Sequence, residues 1–133
     1  PRWTLDEALQ RYAILAGLAG RDIAPRTARV VELLGLEEQR GKRIKQLSKG
    51  NLQRLGLAQA LLREERVIIL DEPTHGLDPV WTQRFRDVVD ALRRPGRAIF
   101  IASHNLDELQ RLADRVAIID RGQLQRIVEP RAA

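Results

Sequence analysis

Two carboxylates stand side by side at Asp71-Glu72, directly after the unbroken apolar run Val67-Ile68-Ile69-Leu70 and directly before Pro73. Four apolar residues without a polar break suit a strand buried on both faces, as in a parallel sheet covered by helices. Proline cannot donate to a sheet ladder and biases Glu72 toward an extended backbone, so the strand is expected to stop here. That leaves both acids at the carboxyl end of a strand, where open α/β sheets bind their ligands. Adjacent carboxylates at such a mouth are costly unless a cation or a water-handling task compensates them. One would hold Mg²⁺ or its waters and the other would orient an attacking water, the arrangement of metal-assisted hydrolysis. The plain alternative is a pair of solvated loop acids.

Two further stretches carry candidate chemistry. In Leu47-Ser48-Lys49-Gly50-Asn51, Ser48 is placed to cap the helix that follows, and Gly50 admits a close approach to the backbone. Free amides, a hydroxyl and a lysine at a helix start make an anion site; the alternative is a capped helix and nothing more. Ser103-His104 follows a second apolar run, Ala98 to Ala102, which puts His104 at the same sheet edge as Glu72 if the two strands are parallel neighbours. His75 and Asp78 lie in the turn Thr74-His75-Gly76-Leu77-Asp78-Pro79, whose tip could meet a partner.

These residues need elements to hold them. The 133 residues are enough for one domain with a core, and the 44% hydrophobic and 31% charged fractions are those of an ordinary globular protein. With no cysteine and two histidines 29 residues apart, disulfides, thiolate zinc and a histidine-built metal site are set aside. No stretch reaches the ~18 apolar residues of a membrane span. The net charge of +5 raises nucleic acid or an anionic surface as partners. The arginines, however, are scattered over helix-like segments, and 4% aromatics is too few for base stacking, so no specific nucleic acid is expected.

Thr4 to Glu7 reads as a capping box opening a helix with Leu5, Ala8, Leu9, Tyr12, Ala13 and Ala16 inward. A second helix is expected over Arg26 to Leu34, introduced by Pro25 and stopped by Gly35. Glu37 to Lys45 reads as a loop. A third helix begins near Ser48, with Leu52, Leu55, Ala58, Leu61 and Leu62 on one face. Beyond the strand at Val67, Asp78 and Pro79 open a helix facing inward through Trp81, Phe85, Val88, Val89 and Leu92. After the Ala98 strand, Asn105 caps a helix turning Leu106, Leu109 and Leu112 inward, before a third strand over Val116 to Ile119. A tight turn at Asp120 to Gln123 leads to an antiparallel strand near Leu124 to Val128. Strand, helix, strand, helix, strand predicts a pair of right-handed crossovers in a mostly parallel sheet. The expected organisation is α/β: a helical part over 1–47 and a strand-bearing part over 48–133.

In register, four motifs resemble those of ABC-type ATPases. Leu47-Ser48-Lys49-Gly50-Asn51 resembles the signature motif, and Ile68 to Thr74 the Walker B strand with its glutamate. Gly76-Leu77-Asp78-Pro79 resembles the D-loop, and Ser103-His104 the switch histidine. Ala113 to Gly122 is also typical, so the resemblance covers the chain from about Pro1 to Val128. It implies that Asp71 serves the Mg²⁺ shell, Glu72 polarises the lytic water and His104 contacts the γ-phosphate. Ser48, Lys49, Gly50 and Asn51 would face the γ-phosphate of ATP held by the opposite copy in a head-to-tail dimer, with Asp78 communicating across it. Residues 1–47 would dock on a transmembrane permease, placing the protein in the cytoplasm, peripheral on the inner face of the membrane. The fold implied is an incomplete P-loop NTPase: a helical subdomain, then a partial RecA-like core. Lys49 departs from the usual glycine and Asn51 from the usual glutamine; His75 replaces a common asparagine and Gln59 a common arginine.

A phosphate loop of the form Gly-x-x-x-x-Gly-Lys-Ser/Thr after a strand has no match. Gly41-Lys42 is followed by Arg43, and the position five before Gly41 is Leu36. The expectation is therefore the carboxyl-terminal part of a nucleotide-binding domain, with the phosphate loop, the glutamine loop and the adenine-stacking β-subdomain upstream, and with no activity in these residues alone. Alternatives are a soluble ATPase of the same superfamily acting on DNA or ribosomes, and a non-catalytic interaction module. The absence of a long heptad segment between Ser48 and Asp71 speaks against chromosome-associated members.

Overall fold

A computed structural model of the chain describes residues 2–130. Helix α1 (Leu5–Leu15) opens on the expected box: Glu7 N–H donates to Thr4 Oγ1 at 3.1 Å, and Thr4 N–H donates to Glu7 Oε1 at 3.2 Å. It buries Leu5, Ala8, Leu9 and Ala13. Helix α2 (Gly20–Leu33) starts a turn and a half earlier than the sequence implied, and Pro25 lies inside it. Having no N–H, Pro25 costs the helix one bond, to the carbonyl of the exposed Arg21. Ile23, Thr27, Val30 and Val31 pack inward on either side of it, and that tertiary packing outweighs the local break. The connection beyond holds single 3-10 turns at Glu37–Gln39 and Ile44–Gln46.

Helix α3 (Lys49–Leu61), capped by Ser48, packs against α1, α2 and the first strand. Meeting neighbours on more than one side, it buries Leu57 as well as Leu55, Ala58 and Leu61. Leu52, expected inside, is 42% exposed.

Strand β1 (Val67–Asp71) pairs in parallel with β2 (Ala98–Ala102), Val67 opposite Ala98 and Asp71 opposite Ala102, with helix α4 (Pro79–Leu92) as the crossover. Phe85, Val88 and Val89 of α4 join Ile68 and Leu70 in a core continuous with that of α1 to α3. Val67 and Ile69 are 54% and 73% exposed, so β1 is buried on one face rather than two. The helices cover only that face.

Helix α5 (Leu106–Leu112) commits Leu112 to the core but leaves Leu106, expected inside, 44% exposed. Strands β3 (Val116–Asp120) and β4 (Gln123–Val128) form an antiparallel hairpin closed by Arg121 and Gly122, both at positive φ. Among the described residues β3 pairs with β4 alone, not with the parallel pair. One crossover is present where two were expected: the following strand, across a two-residue turn, is the partner of least closure entropy. The architecture is mixed α/β. No helix among the described residues is long and apolar enough to cross a membrane.

Candidate active site

Because β1 and β2 are parallel and in register, the residues after Asp71 and Ala102 emerge at one edge. Glu72 N–H prolongs the ladder, donating to the Ala102 carbonyl at 2.8 Å. The chain then turns sharply: Glu72 has φ +47°, and its carbonyl accepts from His75 N–H at 3.1 Å. This corrects the extended backbone expected before Pro73, since closing the turn outweighs the local bias of the proline. A left-handed glutamate costs about 1–2 kcal/mol, and its hydrogen bonds offset that. Backbone strain of this kind collects at functional sites.

At that edge the Glu72 and His104 side chains meet, Oε1 to Nδ1. His104 is 98% exposed and Glu72 38%, so the pair faces open space rather than the core. Asp71 is exposed one residue earlier. Among the described residues no three histidine, cysteine or acidic groups are placed to hold a metal by themselves. One or two carboxylates, with the remaining positions left to waters and substrate phosphates, are what Mg²⁺ commonly takes from a protein. The donor set here, Asp71 with Glu72 adjacent, fits such a shared ion and not a self-contained metal centre.

The second candidate cluster lies at the start of α3. Ser48 Oγ accepts from Asn51 N–H at 3.1 Å, so the structural cap is realised. Lys49 is exposed at the first helical position. Gly50 faces the loop after β1: a Cβ on it would lie 3.5 Å from the Gly76 carbonyl oxygen. Asp78 caps α4, its Oδ1 accepting from Trp81 N–H at 2.8 Å. The helix start, the loop and the acid–imidazole pair are thus neighbours in one chain.

Three joints between them escaped sequence reasoning. Gln53 Nε2 donates to the carbonyls of Glu72 at 3.3 Å and Pro73 at 2.9 Å, tying α3 to the end of β1. Thr74 Oγ1 donates to Glu108 Oε2 at 3.0 Å, tying the same loop to α5. Arg54 joins α2, Asn51 and Trp81. The signal for Arg54 was its position three after Asn51, which puts both on one helix face.

Comparison with known proteins relates the chain to a family and to several curated proteins. The family described as "AAA domain, putative AbiEii toxin, Type IV TA system" matches residues 6–109. The chain is 47% identical over 96 residues to the ABC transporter ATP-binding protein YhcH of Bacillus subtilis, covering 71% of this chain and 32% of that one. It is 40% identical over 111 residues to the methionine import ATP-binding protein MetN of Caulobacter vibrioides, covering 83% and 33%. It is 43% identical over 96 residues to the bacitracin transport ATP-binding protein BcrA of Bacillus licheniformis, covering 71% and 31%. The chain spans about a third of the length of these curated relatives.

Proposed function

The chain belongs to the AAA-domain family that matches residues 6–109, and from that premise we propose that it is the carboxyl-terminal part of an ABC-transporter ATP-binding subunit, coupling ATP hydrolysis to transport. The observation that carries the reading is the meeting of Glu72 and His104 at the carboxyl end of two parallel strands, beside the exposed Asp71. The names of the similar proteins support it, and so does the mixed α/β architecture, read as part of a RecA-like P-loop fold.

In this reading Asp71 holds the water shell of Mg²⁺. Bound with ATP, Mg²⁺ supplies charge neutralisation at the phosphates. Glu72 offers one carboxylate oxygen to His104 and keeps the other for the attacking water. His104, nearly fully exposed, orients that carboxylate and reaches the γ-phosphate. Ser48, Lys49, Gly50 and Asn51 bring a helix start with free amides to the γ-phosphate bound by a second copy in a head-to-tail dimer. Asp78 stands at the same seam.

The phosphate loop, absent from these 133 residues, is supplied by another part of the protein. Residues 1–47 form the helical subdomain that docks on a permease, and 48–133 belong to the ATPase core; the protein works at the cytoplasmic face of a membrane. Mg²⁺-dependent release of phosphate from ATP by the complete protein tests the reading. Turnover that ignores Asp71→Asn would oppose it.

A further inference from the structure

The guanidinium of Arg54 is the meeting point of three helices. Its Nη1 donates to the carbonyls of Leu34 at 2.9 Å and Gly35 at 3.2 Å, closing the carboxyl end of α2. Its Nη2 donates to Asn51 Oδ1, at the start of α3. Its Cζ lies over the ring of Trp81, 4.1 Å from the centroid, in the first turn of α4, three residues after Asp78. The Cζ of Arg84 also lies over a Trp81 ring, 4.2 Å from its centroid. Gly35 makes room for the stack: its φ is +61°, and a Cβ there would fall 2.5 Å from Trp81 Cζ2. Burial pushes the Arg54 guanidinium down from its ordinary pKa, while the Asp78 charge pulls the other way.

This packing decides which end of the Asn51 amide points outward. Arginine has only donors, so the atom of Asn51 that faces it must be the carbonyl oxygen. The NH₂ group is then turned away from Arg54. A donor there suits a phosphate oxygen; a carbonyl would repel it. With Arg54 free to move, the amide could turn over and present the wrong atom.

We propose that Arg54, held flat between Trp81 and the end of α2, is the positioning residue that fixes the Asn51 amide as a hydrogen-bond donor to the γ-phosphate bound by the opposite copy. The inference rests on the function proposed above. It adds that the helical part, through Leu34 and Gly35, and the D-loop, through Trp81, both set the aim of the signature residue. Movement of either would change how well one copy grips the nucleotide of the other. Lysine cannot replace Arg54, because it lacks both the fork and the flat face.

The test uses the complete protein carrying Glu72→Gln, so that bound ATP persists. ATP-dependent dimerisation is measured by sedimentation, and each copy's own ATP affinity by titration of the dilute monomer. Arg54→Lys is expected to weaken dimerisation about ten- to a hundredfold, the worth of one charge-assisted hydrogen bond, with the monomer's affinity unchanged. Added to Asn51→Ala, Arg54→Lys is expected to do nothing more, because both act through one amide. Asn51→Asp, which keeps an acceptor for Arg54 and removes the donor, is expected to lose dimerisation while folding normally. Dimerisation indifferent to Arg54→Lys or Asn51→Asp, additive losses in the double variant, or a parallel fall in monomer affinity and thermal stability would overturn the inference. Absence of any ATP-dependent dimer with Arg54 and Asn51 intact would overturn the proposed function itself, and this inference with it.

Discussion

The imidazole Nδ1 of His104 meets the Glu72 carboxylate, although the two residues are 32 apart in sequence. The contact is a direct product of strand register. Asp71 pairs with Ala102, so the residues following each strand share an edge, and the ladder bond from Glu72 N–H to the Ala102 carbonyl at 2.8 Å fixes their offset. A shift of one residue in that pairing would turn one of the two side chains to the opposite face of the sheet.

The 133-residue polypeptide by itself is expected to bind ATP weakly and to release no phosphate. It has the acid pair and the imidazole but no phosphate loop to place a γ-phosphate against them. Calorimetric titration and a phosphate-release assay check this. Turnover abolished by Glu72→Gln in the 133-residue polypeptide would contradict it.

Val67, Ile69 and Phe100 are 54%, 73% and 60% exposed on the parallel pair, whose edges are unpaired among the described residues. The isolated polypeptide is therefore expected to self-associate as its concentration rises. Ile69→Thr with Phe100→Thr should shift it toward monomer in sedimentation velocity. A wild-type polypeptide that stays monomeric at high concentration would contradict this.

Thr27 is fully buried in α2, and its hydroxyl has no hydrogen-bond partner among the described residues. Thr27→Val keeps the shape and removes the unsatisfied group, so it should stabilise the fold by about 1 kcal/mol. Urea unfolding reads the change as a higher midpoint at constant slope. A lower midpoint would show that the hydroxyl is satisfied in solution.

Glu7 has its pKa lowered, first by the Thr4 backbone N–H and then by the Thr4 hydroxyl. A depressed carboxylate binds its proton less readily folded than unfolded. Its contribution is therefore present above the unfolded pKa and lost as pH falls through the folded one. Glu7→Gln should flatten the acid limb of stability against pH and leave the limb above neutrality unchanged. Thermal melts across the acid range measure it, and identical pH profiles would remove the capping box from the account of acid stability.

The local signals in this sequence proved the most legible. Thr4, Ser48, Asp78 and Asn105 were each expected to cap a helix, and each accepts from a backbone N–H three residues on. A cap is decided by one side chain and one turn of backbone, so neighbours in the fold cannot overrule it. The same holds for the Asp120 to Gln123 turn.

What was misread depends on packing between distant segments. Pro25 sits inside α2 because Ile23 and Thr27 are held from either side. The exposure of Leu52 and the burial of Leu57 follow from where α1, α2 and β1 lie around α3. An apolar run such as Val67 to Leu70 reads the same whether one face is covered or two. The edge that brings Glu72 to His104 was legible from two apolar runs each followed by a polar residue. The stack of Arg54 on Trp81 was not, since nothing in either segment points to the other.

In the proposed function Glu72 handles the water that attacks a bound ATP. Single-turnover hydrolysis by the complete protein, native and Glu72→Gln, tests it most directly, with ATP binding followed in the same samples. The variant is expected to bind ATP as the native protein does and to lose turnover by about 10²–10⁴-fold, the usual worth of a positioned general base. Hydrolysis by the variant at the native rate, with binding intact, would contradict it.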